Sequence, residues 1–270
     1  FDPAFETFCD EYARQLITNK DDPCLLGHFS DNELPFKRSL LTNYLALPEN
    51  DPGRQVAEKW LQTRHGDKAK ARDVTKQDRK DFLALVVERY FRIVSKTIRK
   101  YDPNHLFLGS RFYGADIHCP EVFKAAGPYL DVVSVNYYYA WTPKPADLEM
   151  WAGESGRPVI ITEWYAKGMD SGLSNQSGVG WVVKTQRDRG LFYQNFTLGL
   201  LASKVCVGWH WLQYADNDPS DTKSDPSNKD SNKGVVNVRY EPYVPLLDAM
   251  RQVNERSYAL ARYFQQSGKH

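Results

Sequence analysis

Apolar residues along the chain come in short runs, and most of the runs end in polar side chains. CLLGHFS (24–30) stops at Asp31-Asn32-Glu33, HLFLGSRF (105–112) carries Ser110-Arg111 and DVVSVNYYY (131–139) carries Asn136. PVIITEWY (158–165) contains Glu163, and VCVGWHWLQY (205–214) reaches Gln213. Brief apolar runs of this kind, rich in β-branched and aromatic residues, predict strands buried in a parallel sheet. Helical periodicity fills the intervals, at 4–18, 79–102 (the longest), near 119–129, at 145–155, 185–204 and 243–264. Strands alternating with helices predict an α/β fold with helices packed outside a parallel sheet. The helix-to-strand links KYDPNH and SGRP are short and plain, whereas polar residues load the loops that follow the strands. A (β/α)8 TIM barrel distributes its residues in this way, with its active site on the post-strand loops. Five strand–helix units are visible where a barrel needs eight. The expectation is that residues 1–270 are the C-terminal part of such a barrel and that its first three strands lie before Phe1, where the sequence already opens on a helix.

Composition narrows the classes of partner. The 35 Lys and Arg nearly balance the 34 Asp and Glu, for a formal charge of +1. Such a balance gives no electrostatic reason to expect nucleic acid or an anionic membrane as partner. No run is long and apolar enough to span a bilayer. No GxGxxG follows a strand, which argues against a dinucleotide site. Cys9, Cys24, Cys119 and Cys206 lie far apart without CxxC spacing, so neither zinc nor a dense disulfide framework is indicated. Cys24 and Cys206 fall in expected strands and read as small buried hydrophobes. His28 and His118 sit near strand ends without ligand spacing, and His210 reads as a packed core residue; no metal site is expected. The 7 Trp, 16 Tyr and 13 Phe could fill a core or stack on sugar rings. Two elaborate loops, 165–184 and 213–242, follow strands. The second is rich in Asp, Ser and Asn and reads either as a solvated flexible loop or as one that closes over substrate.

Glu33 and Glu163 each end an expected strand, and a barrel brings the C-terminal ends of its strands to one rim. Glycoside hydrolysis needs two such carboxyl groups. One is protonated and donates to the leaving oxygen. The other is ionised and attacks, or stabilises, the anomeric centre. Asn32-Glu33 after one strand and Glu163 three strands later resemble the pattern of clan A glycoside hydrolases. GHFSDNELPF, FLGSRF, DVVSVNYY, GMDSGL and VGWHWLQYADND, in that order from His28 to about Tyr243, resemble the β-agarases of glycoside hydrolase family 50. The segments WYAKGMDSGLSNQSGVGW and TQRDRGLFYQNF depart from the usual agarase wording.

That resemblance implies that the visible strands are four to eight. Glu33 would be the general acid/base and Glu163 the nucleophile of a retaining, cofactor-free double displacement on a β-galactosidic bond. It also implies substrate contacts. Asn32 would bond the sugar 2-hydroxyl, Tyr138 would donate to the nucleophile, and Trp211 would stack under the reacting sugar. Arg111, Asn136 and Gln213 would supply polar groups at the strand ends. Trp209 and Trp211 point the same way along their strand, so one can be core and the other site. The implied partner is a galactan polysaccharide or oligosaccharide, and that substrate class implies a secreted or periplasmic enzyme. Two other readings stay open: a hydrolase of another β-galactan or β-galactoside, and a non-catalytic carbohydrate-binding barrel.

Overall fold

The computed structural model describes residues 1–221, 223, 225 and 228–266. The chain forms two compact units, one of Phe1–Ser134 with Met150–Arg157 and one of Val135–Glu149 with Pro158–His270.

The first unit contains α1 (Ala4–Ala13), β1 (Gly27–His28), α2 (Leu40–Leu45), α3 (Pro52–His65), α4 (Lys76–Tyr101), β2 (Leu106–Phe107) and α5 (Pro120–Ala126). Helix α1 stops earlier than the periodicity predicts and passes into a 3-10 segment, Arg14–Asn19. The longer helices start where the sequence supplies caps. Asp51 Oδ1 accepts from the Gly53 and Arg54 amides at the head of α3, with Pro52 at its first position. Thr75 and Asp78 exchange bonds across the first turn of α4.

Strands β1 and β2 are parallel, with Gly27 opposite Leu106. A Cβ at Gly27 would sit 2.3 Å from the Leu106 carbonyl oxygen, so the close approach requires glycine. The strand at 24–30 is thus shorter than expected. The Cys24 amide donates to Asp22 Oδ1 at 2.8 Å in a turn, which leaves Cys24 exposed rather than in the core.

Behind β1 and β2, the fully buried carboxylate of Asp102 is bracketed by two histidines. His28 Nε2 lies 2.7 Å from its Oδ2, and His105 Nδ1 lies 2.7 Å from the same atom. His105 Nε2 also faces the Asp22 carbonyl at 2.9 Å. Both ring nitrogens of His105 therefore meet acceptors, which favours the doubly protonated ring. The Asp22 carbonyl first, and the Asp102 carboxylate second, raise the pKa of His105 above its ordinary value. Burial alone would raise Asp102, but its donors outweigh burial and hold it below the usual range.

Strand β3 (Val133–Asn136) and helix α6 (Pro145–Ser155) each run from one unit into the other. The second unit adds β4 (Val159–Glu163), β5 (Ala166–Gly168), β6 (Trp181–Val183), α7 (Gln186–Ala202), β7 (Cys206–Trp209), α8 (Val244–Asn254) and α9 (Ser257–Gln266). The sheet order is β3-β4-β7, and β4 and β7 are parallel with Ile161 opposite Trp209. Every residue of β4 is buried, as expected of a strand covered on both faces. Strands β5 and β6, also parallel, were not legible in the Gly- and Ser-rich segment that holds them. The last helix breaks at Glu255-Arg256 into α8 and α9.

The polar loop after β7 is not uniformly solvated. Asp216, Ser231, Asn232 and Lys233 are all buried. Arg189 of α7, also fully buried, ties this loop to the one after β4: Nε donates to the Ala166 carbonyl at 2.7 Å and one terminal nitrogen to the Gly234 carbonyl at 3.0 Å. Asn232 extends the link, accepting from the Gly168 amide at 2.9 Å and donating to Asp216. Lys167 donates to the carbonyls of Asn175, Ser177 and Gly178 and so ties down the 174–178 turn. The expectation of a mobile or closing loop falls in part on Thr222, Ser224, Pro226 and Ser227, which lie outside the described residues. Among the described residues no helix is long and apolar enough to cross a membrane.

Candidate active site

In the first unit the carboxylate-bearing loop leaves β1 directly. The Ser30 amide donates to the Gly109 carbonyl at 2.9 Å and the Glu33 amide to the Ser110 carbonyl at 3.0 Å, so the loop stays paired to the chain after β2. Asn32 is exposed and Glu33 half-buried. Glu33 has φ +60° and Arg111 φ +53°, a left-handed conformation that non-glycine residues adopt at a cost of roughly 1 kcal/mol or more. Strain at two adjacent strand ends, one of which carries an acid, is typical of a functional position. Arg111 is fixed further by its amide, which donates to Ser134 Oγ at 3.0 Å, and its guanidinium lies 5.5 Å from the Phe29 ring centre. Three residues past Glu33, the Phe36 amide donates to Asp116 Oδ2 at 3.1 Å. Asp116 is buried, and burial pushes its carboxyl up to about 7 against the opposing Phe36 bond and Lys37 charge. No sequence signal singled out Asp116; it opens a short 3-10 turn, Asp116–His118, and pairs with a backbone group.

In the second unit Glu163 is the last residue of β4 and is 8% exposed. The Tyr138 hydroxyl donates to Glu163 Oε2 at 2.6 Å, a short bond of the charge-assisted kind. The Tyr137 amide donates to the Glu163 carbonyl at 2.8 Å, which holds the two strand ends in register. Asn136 is fully buried, and its Oδ1 accepts from Thr162 Oγ1, one residue before Glu163, at 2.8 Å. Asn136 thus braces the end of β4 from the neighbouring strand.

Trp211 is half-buried, and its indole donates to the Lys233 carbonyl at 2.7 Å. Its ring meets Trp164 edge-on at 5.1 Å, and the Arg189 guanidinium lies 5.4 Å from its centre. Trp209 and Trp211 both reach Tyr193: the Trp209 indole donates to its hydroxyl at 2.7 Å, and the Trp211 ring lies 5.9 Å away. The two indoles line a cavity of about 650 Å³ with Met250 and Tyr258. Gln213 is half-buried and donates to the Ala215 carbonyl at 2.9 Å. His210 is exposed, contrary to the expectation of a packed core residue; its amide donates to the Ile161 carbonyl at the end of β7, where the strand leaves the sheet.

This α/β fold, with a buried, tyrosine-bonded glutamate closing a parallel strand, is an arrangement suited to acid–base or nucleophilic chemistry. No family model matches the chain. It is similar to beta-agarase B of Vibrio sp. (strain JT0107), with 30% identity over 96% of this chain and 30% of that protein. The crystal structure of BpGH50 superposes with a TM-score of 0.88 at 35% identity, over 98% of this chain and 57% of the other. An exo-beta-agarase superposes with a TM-score of 0.84 at 28% identity, over 97% of this chain and 39% of that one. The chain therefore spans about a third of the length of the curated agarase it matches.

Proposed function

We propose that the chain is the strand-four-to-eight part of a (β/α)8 barrel that hydrolyses β-galactosidic linkages of an agarose-like galactan with retention of configuration. The observation that carries this reading is the Tyr138–Glu163 bond at the end of β4, in a chain similar to agarases over almost its whole length. A nucleophilic carboxylate must be ionised and aimed, and a phenol that donates to it fixes its direction and favours its charged form.

In this mechanism Glu163 attacks the anomeric carbon as Glu33 gives its proton to the departing glycosidic oxygen, and a glycosyl ester forms. Glu33, now ionised, takes a proton from water. The water adds to the anomeric carbon, and Glu163 leaves as carboxylate. Such a double displacement requires the two carboxyl groups about 5–5.5 Å apart, whereas inversion requires roughly 6.5–9.5 Å. Asn32 would bond the sugar 2-hydroxyl, and Arg111, Gln213 and Trp211 would bind the substrate. A polymeric galactan is met outside the cell or in the periplasm, and the enzyme would act there.

The test is product analysis after incubation with agarose, porphyran and an aryl β-galactoside. New reducing ends from agarose, abolished in Glu163→Gln, are expected. A folded protein that cleaves none of the three would end the reading.

A further inference from the structure

Trp141 and Trp181 are 46% and 40% exposed, although indoles of this size are usually well buried. Their ring centres lie 6.2 Å apart with the planes at 76°, so the two part-exposed indoles meet edge to face. Both are held in place from behind. Trp141 packs at 5.0 Å on Phe192, which is buried and lies 5.6 Å from Trp164, the residue after Glu163. Asn195 donates to the Trp141 carbonyl and to Thr142 Oγ1, both at 2.9 Å, and so fixes the backbone of the loop. Trp181 sits on β6, whose partner β5 begins three residues after Glu163.

We propose that Trp141 and Trp181 form a sugar-stacking site, separate from the reacting position, that holds a further galactose-type residue of the same polymer. The proposal rests on the galactan reading above. Three observations select a sugar as the occupant. A pyranose offers a flat face of C–H groups with hydroxyls at its edge, which suits an exposed indole face that stays wet around its rim. The pair is tied to the segment that carries the proposed catalytic carboxylate: Trp141 is three residues along the chain from Tyr138, which bonds Glu163, and packs on Phe192, which in turn meets Trp164. A polymer bound for cleavage must run past the reacting residue, and an indole already packed on a buried ring, as Trp141 is on Phe192, meets it with little ordering cost. Protein and membrane occupants are left to the test.

The experiment is affinity electrophoresis of full-length Glu163→Gln protein in gels containing soluble agarose-type galactan, alone and combined with Trp181→Ala, Trp141→Ala or Trp141→Phe. Circular dichroism and thermal melting check the fold. Sedimentation measures self-association, and turnover of an aryl β-galactoside is followed in the corresponding variants that retain Glu163. The expected result is at least a tenfold rise in the galactan dissociation constant for Trp181→Ala, partial recovery in Trp141→Phe relative to Trp141→Ala, and aryl-galactoside turnover within twofold of the parent. Equal retardation of parent and Trp181→Ala overturns the proposal, as does a parent that galactan does not retard. An equal loss on polymer and aryl galactoside, or a parent dimer that Trp181→Ala dissociates, also overturns it. Aryl-galactoside turnover that Glu163→Gln abolishes keeps the catalytic reading alive even when the stacking site fails; its absence removes the catalytic reading.

Discussion

The hydroxyl of Tyr138 donates to Glu163 Oε2 at 2.6 Å, between a loop after β3 and the last residue of β4. The bond joins two strand ends that the backbone already holds together, through the Tyr137 amide and the Glu163 carbonyl at 2.8 Å. An oriented carboxylate thus rests on both main-chain and side-chain contacts, so the two can be separated by mutation.

Tyr138→Phe removes the donor and keeps the ring, which meets Tyr165 edge-on at 5.5 Å. A hydrogen bond to a charged group contributes about 1.5–3 kcal/mol, so kcat on galactan should fall roughly 10- to 150-fold. KM should change little, because the bond acts on the proposed nucleophile and not on bound sugar. Steady-state kinetics at saturating substrate checks this, and an unchanged kcat would remove Tyr138 from the machinery.

Arg189→Met should destabilise the second unit. The guanidinium is fully buried and serves the carbonyls of Ala166 and Gly234 and Gln186 Oε1. Burial pulls it down to about 10, which still leaves it protonated at neutral pH. Removing it strands several buried acceptors, each costing about 1–3 kcal/mol. A loss of about 3 kcal/mol or more is expected in urea unfolding, with faster amide exchange at 166–168 and 232–236. A loss under about 1 kcal/mol would mean that water replaces the guanidinium with little cost.

Asp116 should make stability depend on pH near neutrality. Its folded carboxyl titrates at about 7, well above the ordinary 3.8, mainly because it is buried. Between those values the native state keeps a proton that the unfolded chain has lost, so stability falls as pH rises from about 4 to 7 and levels off above. His105 acts in the same direction. Its raised value contributes stability that is complete below the unfolded pKa of about 6.5 and is lost as pH rises through the folded one. Asp116→Asn keeps an acceptor for the Phe36 amide and removes the first of these slopes. Its melting temperature relative to the parent should therefore rise steadily from pH 4 to 7. A difference independent of pH would show that Asp116 is not protonated in the folded protein.

The strand-and-helix alternation was legible because buried parallel strands and long amphipathic helices carry strong periodic signals, as in VIITE of β4 and the 26 residues of α4. Strand lengths were not, because pairing is decided by partners the sequence does not show: Cys24 is apolar, yet Asp22 draws it into a turn. Strands β5 and β6 are three residues each and fall below any period. The buried polar cluster of Asp216, Asn232 and Arg189 was also hidden, since a loop rich in Asp, Ser and Asn reads the same whether water or an arginine satisfies it. Tyr138 was legible as a donor to Glu163 only through the family resemblance. Asp116, which bonds a backbone amide, carried no pattern at all.

The roles of Glu163 and Glu33 can be separated chemically. If Glu163 is the nucleophile, as proposed, turnover should stop in Glu163→Ala, while azide should fit the space left and attack the anomeric carbon directly. One displacement inverts the centre, so an α-galactosyl azide is expected from an activated β-galactoside. In Glu33→Ala the glycosyl-enzyme still forms from substrates whose leaving group needs no proton, such as a dinitrophenyl galactoside, whereas polymer cleavage should fall by about 10²- to 10⁴-fold. Azide then attacks the intermediate without needing a general base, and two displacements give a β-galactosyl azide. Proton NMR of the anomeric coupling distinguishes the products. Swapped outcomes would exchange the two roles. An inverted first product from the unmodified enzyme, observed before mutarotation, would replace double displacement with a single attack by water.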